Sequence, residues 1–427
     1  MTITLLFVFF AALVVIEMPI AFALALAAVG YLTLESQLPL NVVVQRMASG
    51  LDSFPLLAIP LFILAGNIMN RAGLAARIFA FALSILGHIR GSLAHVNVGA
   101  SLVFAGMSGV AQADAAGLGT VEIRAMRKAG FDPAFAAAVT AASSIIGPII
   151  PPSVIMVIYA VIAQVSVADL FLGGILPGLL MGGLLMLMIW LMAITGRIHA
   201  PVRRRATAAE LGRTFRAALP SLMAPVVLVG GLLSGAATPT ELGAVTVVYA
   251  TIIGFAQGEL TLARLHRSVL ETGITAGILV FIISAAVPFG WVVSVNNLPA
   301  QLAATLLSWT DNPYLILAII NVILLCAGLV METTAVLLIA VPALLPLALA
   351  LGIDLVHFGV IVVLNLLIGA TTPPFGVILF IMMDIAKISF GRMVRAMLPF
   401  YIPLLAALLV ITYWPELVLF VPNLIGR

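Results

Sequence analysis

The chain has 427 residues, 63% of them hydrophobic and 8% charged, with a formal net charge of +3. A soluble domain is about 25% charged, so this composition excludes a water-soluble particle of this size and makes membrane lipid the solvent. A balance of +3 is no basic field for nucleic acid, which is not expected as a partner.

About 20 apolar residues cross a bilayer as a helix, and the chain supplies roughly ten such stretches plus shorter pieces. They are continuous runs without the alternation of barrel strands, so the expected class is an all-α polytopic membrane protein. The first, Ile3 to Leu32, has no basic leader and is too long for a signal peptide; a retained helix in the bacterial inner membrane is expected. An apolar run from near Val96 is interrupted at Ala105-Gly106-Met107-Ser108-Gly109, with Asp114 just beyond. Its arms of about 12 to 20 residues suit a re-entrant hairpin with its tip at the bilayer centre. The alternative is a glycine contact between full-length helices. Arg124, Arg127 and Lys128 then mark a cytoplasmic loop. Next, Ser143 to Ser153 holds Gly147-Pro148 and Pro151-Pro152 inside a helical run. Proline lacks the N–H and pushes the residue before it out of the α region, so this helix is expected to be broken; a simple kink is the alternative.

Arg197 to Arg216, with Arg203, Arg204, Arg205, Arg213 and Arg216, is the most polar stretch and reads as a cytoplasmic connecting loop, with a lipid-headgroup or nucleic-acid patch as the alternative. Three regions follow: residues 1–196, the connector 197–216, and residues 217–427. Glu241, in Thr238-Pro239-Thr240-Glu241, is expected to cap a helix. Between Leu219 and Asn312, Pro288 and Pro299 leave the division into helices open. A second run, from near Leu315, is interrupted at Gly328 to Thr334 around Glu332, giving a second hairpin. Gly369-Ala370-Thr371-Thr372-Pro373-Pro374-Phe375-Gly376 makes a second break, followed by Asp384, which reads equally as a substrate- or ion-related acid and as a polar residue near a helix end. Both Glu332 and Asp114 are candidates for functional intramembrane acids, with tip capping or packing as the alternative. His88, His95, His199, His266 and His357 lack metal-ligand spacing, and Cys326 is the only cysteine.

The halves repeat each other. Gly106, Gly130, Asp132, Gly147, Pro151, Pro152 and Pro177 recur as Gly328, Gly352, Asp354, Gly369, Pro373, Pro374 and Pro399, each 222 positions later (352 − 130). Basic residues precede Asp132 but not Asp354, and follow the second break (Lys387, Arg392, Arg395) but not the first (Val165 to Gly173). Matching loops on opposite faces define an inverted-topology repeat of the kind found in secondary transporters. Unwound backbone at membrane depth lines a cavity; its carbonyls suit a small cation, and the half-helix that follows offers N–H groups to an anion. There is no Gly-x-x-x-x-Gly-Lys loop for ATP, and no His-Glu-x-x-His, Gly-x-Ser-x-Gly or clustered metal ligands for an enzyme. The reading is an ion-coupled permease for a small organic anion. No arginine lies in either tip or break.

Gly106-Met107-Ser108-Gly109, Ala113-Asp114-Ala115-Ala116, Phe131-Asp132-Pro133-Ala134-Phe135-Ala136, Gly147-Pro148-Ile149-Ile150-Pro151-Pro152-Ser153, Leu57 to Asn67 and Thr372-Pro373-Pro374-Phe375-Gly376 together resemble the large permease subunit of tripartite ATP-independent periplasmic (TRAP) transporters of the C4-dicarboxylate (DctM-like) type. The resemblance implies an elevator-type, sodium-coupled importer working with a small membrane subunit and a periplasmic substrate-binding protein. It places one sodium ion among Ser108, Gly147, Ile150 and Pro151. A second would lie among Gly328, Gly369, Thr372 and Phe375. Substrate would meet the hydroxyls of Ser108, Ser153, Thr333 and Thr371. Where the family often continues Ser-Gly-Ser-Ser, this chain has Ser108-Gly109-Val110-Ala111, so a hydroxyl ligand is missing from the first ion site. A stand-alone sodium/dicarboxylate symporter of related fold is the alternative.

Overall fold

The computed structural model describes residues 2–35, 39–198 and 204–425; His199 and Arg203 lie outside them. The first half runs α1 (Thr2–Val15), α2 (Ile20–Glu35), α3 (Asn41–Ser49), α4 (Ala58–Arg71), α5 (Leu74–Leu86), α6 (Ser92–Ser108), α7 (Ala111–Lys128), α8 (Pro133–Ser144), α9 (Val154–Ala163) and α10 (Val167–Ile194). The second runs α11 (Ala208–Ser234), α12 (Pro239–Ala256), α13 (Leu262–Val295), α14 (Leu298–Trp309), α15 (Pro313–Val330), α16 (Thr333–Ala350), α17 (Leu355–Gly369), α18 (Val377–Ala386), α19 (Phe390–Tyr413) and α20 (Pro415–Leu424). Eight helical stretches among the described residues are long and apolar enough to cross a membrane. Leucine, isoleucine, valine and phenylalanine side chains are exposed along α10 to α15, as expected of helices long and apolar enough to cross a membrane.

The offset of 222 governs whole helices. Shifted by it, Ala111 falls on Thr333 and Pro133 on Leu355, the first residues of α16 and α17; α6 and α9 land within one residue of α15 and α18, and α10 starts within one residue of α19. Proline usage explains the one large difference. In the first half, Pro55 and Pro60 accompany a 3-10 turn, Phe54–Leu57, that separates α3 from α4. Their counterpart α13 continues unbroken for 34 residues with Pro288 inside it. Pro299 sits in the first turn of α14, where its missing N–H costs nothing. The region left open by the sequence therefore holds four helices, α11 to α14.

Two contacts show that the repeat is inverted. At one face Arg392, opening α19, pairs with Asp132, the N-cap of α8, at 3.0 Å. At the other, the Tyr159 hydroxyl near the end of α9 donates to the Leu355 carbonyl opening α17 at 2.8 Å. The two broken helices, α8–α9 and α17–α18, thus run antiparallel. Asp132 lines a common crevice with Arg197 and Arg395, so the Arg392–Asp132 pair shares its face with both arginines. This is the basic face, the one that the positive-inside rule leads one to expect on the cytoplasmic side.

The connector departs from expectation. It is helical from Ala208, because Thr207 and Glu210 form a capping box that satisfies the first orphan N–H groups. Arg213 and Arg216 therefore lie on α11. Glu241 caps α12 through Thr238 in the same way, as expected.

Buried polar ladders clamp the first arm of each hairpin to its own broken helix. Ser143 on α8 donates to Asn97 Oδ1 on α6 (2.8 Å), and Ser101 donates to Ser143 (3.0 Å). At the repeat-equivalent position (365 − 143 = 222), Asn365 on α17 donates to Asn321 Oδ1 on α15 (2.7 Å), which in turn donates to Thr412 (2.9 Å). A side-chain hydrogen bond between membrane helices contributes about 0.6 kcal/mol on average and up to about 1.7. Asn365→Leu is expected to lower stability by about 1–2 kcal/mol, measured as chemical unfolding in lipid–detergent micelles. An unchanged midpoint would show that the ladder holds nothing together.

Candidate substrate and ion site

Each hairpin turns at a tip that meets the middle of a broken helix. In the first, Gly109 closes α6 at φ +66°, a conformation that favours glycine, and Val110 is extended before α7 starts. The tip is seated backbone on backbone. Val154 N–H donates to the Gly109 carbonyl at 3.2 Å, and a Cβ on Gly109 would lie 2.5 Å from the Pro152 carbonyl oxygen. Breaks at residues 145–153 and 370–376 each contain a cis Pro-Pro bond, Pro151-Pro152 and Pro373-Pro374. The second tip repeats the seating. Phe375 N–H donates to the Leu329 carbonyl at 3.3 Å, and an added Cβ on Gly369 would stand 2.7 Å from the Gly328 Cα.

The residues expected around the first ion separate into two groups. Ser108 is buried at the end of α6 on top of Gly66, and its hydroxyl hydrogen-bonds the Asp114 carboxylate. The second carboxylate oxygen lies where a Cβ of Gly147 would be, 1.9 Å from that position. Ser108, Asp114 and Gly147 therefore form one cluster. Ile150 turns its side chain to Gly178 of α10, whose Cβ would fall 2.3 Å from the isoleucine Cγ1, so only backbone oxygens of Ile150 and Pro151 remain as ligands. Asp114 belongs to this cluster although the ligand set implied by resemblance omits it. Its position three residues into α7, in the first turn after the tip, was the signal, since a helix N-terminus holds a carboxylate against its own orphan N–H groups.

Around the second ion position, Gly328, Gly369 and the Phe375 backbone come together, while the Phe375 ring is 59% exposed. Thr372 Oγ1 donates to the Ile368 carbonyl at 2.7 Å. Glu332 acts as the tip cap: it accepts from Thr334 N–H (2.8 Å), Ala335 N–H (3.2 Å) and the Thr334 hydroxyl (3.0 Å).

The four substrate hydroxyls are not equally free. The hydroxyl of Ser108 is engaged with Asp114, and Thr371 Oγ1 donates to the Ile368 carbonyl at 2.8 Å. Ser153 caps α9 by accepting from Met156 N–H at 3.2 Å and keeps its own hydrogen. Thr333 is buried in the first turn of α16, where no hydrogen bond engages its hydroxyl among the described residues. Helix α16 packs on α9, and α7 on α18, so each hairpin's second arm rests on the other half's broken helix. Tyr401 was not foreseen: its hydroxyl donates to the Thr371 carbonyl at 2.6 Å and ties α19 to the second break. Arg71 faces the first hairpin across a crevice of about 390 Å³ lined also by Asn67, Asn70, Gly117 and Glu271. It is bonded to Glu271 at 2.5 Å.

Two broken helices, each seated on a hairpin tip, match a recognised family. The family described as "Tripartite ATP-independent periplasmic transporter, DctM component" matches residues 7–417. The chain belongs to the DctM family. The sialic acid TRAP transporter large permease protein SiaM of Vibrio cholerae is 43% identical over 95% of this chain and 95% of its own. The C4-dicarboxylate TRAP transporter large permease protein DctM of Pseudomonas aeruginosa is 38% identical over 88% of each. Among solved structures, the YdaH transporter of Alcanivorax borkumensis shares the fold, with a TM-score of 0.64 at 17% identity, covering 89% of this chain and 90% of that one. As a DctM component, the chain is a transporter permease subunit and not an enzyme.

Proposed function

We propose that this DctM component is the membrane-spanning half of a sodium-coupled, binding-protein-dependent importer of a small organic anion in the bacterial inner membrane. The observation that carries the reading is the seating of both hairpin tips on both helix breaks by backbone contacts, which brings unwound carbonyls and half-helix N-termini together. The two halves, residues 1–196 and 217–427, each contribute one hairpin and one break. One sodium ion is held by Ser108, Gly147, Ile150 and Pro151 with Asp114 beside them, and another by Gly328, Gly369, Thr372 and Phe375. The donor set fits a monovalent cation: Asp114 is a buried carboxylate with only a hydroxyl as partner, and hard oxygen ligands surround it.

The anion meets Ser153 and Thr333, the two hydroxyls with a hydrogen left to donate, at the first turns of α9 and α16. Relatives named for sialic acid and for C4-dicarboxylates share a carboxylate, so the substrate class is a carboxylate anion and C4-dicarboxylate is one member. Hairpins and broken helices move as one body against the remaining helices, an elevator stroke. A small membrane subunit completes the scaffold, and a periplasmic binding protein delivers the anion.

The test is uptake of a carboxylate by proteoliposomes holding the chain, its small subunit and the loaded binding protein. Uptake is expected only with sodium higher outside. Uptake that persists unchanged without a sodium gradient would remove the coupling, and uptake by the purified chain alone would favour a stand-alone symporter.

A further inference from the structure

The transport reading leaves one buried acid unused. Glu122 lies on α7, eight positions beyond Asp114 and on the same helical face. It is 0% exposed, and neither carboxyl oxygen has a hydrogen-bond partner. Thr140 stands next to Glu122, with its oxygen already bonded to the Ala136 carbonyl (3.0 Å) and to Asn97 Nδ2 (2.7 Å). An ionised carboxylate at this position is desolvated with no cation beside it, whereas a protonated carboxyl carries no charge to desolvate.

Nothing packed against α7 neutralises a charge at this position. Asp114, on α7 itself, is another acid. On α6, His95 is buried with Nε2 unpartnered. On α8, Asp132 is paired with Arg392. On α18, Asp384 is paired with Lys387 at 2.7 Å. On α4, Arg71 is paired with Glu271. Arg77 on α5 makes no ion pair among the described residues, and it does not bond Glu122. Glu122 lines neither the crevice at Arg124 and Lys128 nor the one at Arg71, and among the described residues no group of three or more His, Cys, Asp or Glu side chains could hold a metal ion. The group that fits is a proton. Its source is near, because six residues, about 9 Å of helix, separate Glu122 from Lys128 at the basic cytoplasmic end of α7.

We propose that Glu122 is a proton-binding site at the cytoplasmic root of the first hairpin, filled from the cytoplasm whenever the arm packs as it does here. Ionising Glu122 leaves a buried carboxylate with no cation beside it, so rising cytoplasmic pH opposes the packed arrangement and slows import. The proton side of this proposal stands by itself; the slowing of import rests on the transport reading above.

Two measurements test it. The infrared spectrum of the purified chain in deuterium oxide, with glutamate carboxyls isotopically labelled, is expected to show a protonated glutamate carboxyl band that Glu122→Gln removes. Glu122→Met is the second variant should the first fail to fold. No such band in the wild-type chain overturns the site. In proteoliposomes with all partners, wild-type uptake is expected to fall as internal pH is raised, by at most about tenfold per unit, the limit for one proton. Glu122→Gln, permanently neutral, is expected to transport with a flat profile. Identical profiles for both would overturn the coupling to import. Absence of uptake in either would count against the transport reading, with the infrared result still deciding the proton site.

Discussion

Gly369→Ala is expected to abolish uptake and to lower stability by about 1–3 kcal/mol, the usual cost of forcing extra volume into a packed core. Alanine is the better helix former by about 1 kcal/mol, so propensity alone predicts the opposite sign. Contact distance decides. The new Cβ would stand 2.7 Å from the Gly328 Cα, 2.9 Å from its carbonyl carbon and 3.0 Å from its oxygen. These are backbone atoms of α15, and they cannot swing aside as a side chain does. The hairpin must therefore lift from the break, taking the Phe375–Leu329 hydrogen bond with it. Gly391→Ala on α19, where an added Cβ meets nothing within 4 Å, serves as the control and is expected to be neutral or slightly stabilising. Thermal unfolding and uptake of both variants check this. A Gly369→Ala chain that transports at the wild-type rate would show that the tip does not need to sit on the break.

Asp114→Asn is expected to weaken sodium activation of uptake by about 10–100-fold, the range seen when a partner group beside a metal ligand is lost. The substitution keeps an oxygen to accept from Ser108, so the first tip should stay closed. It removes the only charge in the first cluster. The carboxylate lies against Gly147 and Ser108, where the unwound carbonyls have no other anion to balance a cation. Uptake measured against sodium concentration reads the shift directly. An unchanged half-saturation would mean that the carboxylate serves only to hold the tip. Asp114→Ala, which also removes the acceptor, is expected to lower stability in addition.

Much of the architecture was legible because glycine and proline constrain backbone wherever they stand. Six of them and an aspartate, held in one register, located both breaks and the repeat, and Asp132 and Asp354 turned out to be the N-caps of α8 and α17. Two features escaped for opposite reasons. Connector residues Arg213 and Arg216 read as loop because they are charged, yet the capping box at Thr207 and Glu210 starts a helix ahead of them. Pro288, read as a possible boundary, is carried inside α13, where packing on α2 and α4 outweighs the missing hydrogen bond. At the site, residue types named hydroxyls but not where their hydrogens point. Only three-dimensional contacts show that Ser108 and Thr371 are engaged while Ser153 and Thr333 are not. Glu122 was invisible in sequence for a related reason, since one acid two residues ahead of a basic stretch looks like an ordinary surface residue.

The crossed packing of α7 on α18 and α16 on α9 has a thermodynamic consequence. Neither half can loosen its hairpin without disturbing the broken helix that builds the other half's proposed ion site. Two ligands held by such an interlocked body share a coupling free energy, and linkage makes that coupling reciprocal: whatever the first does to the affinity of the second, the second does to the first.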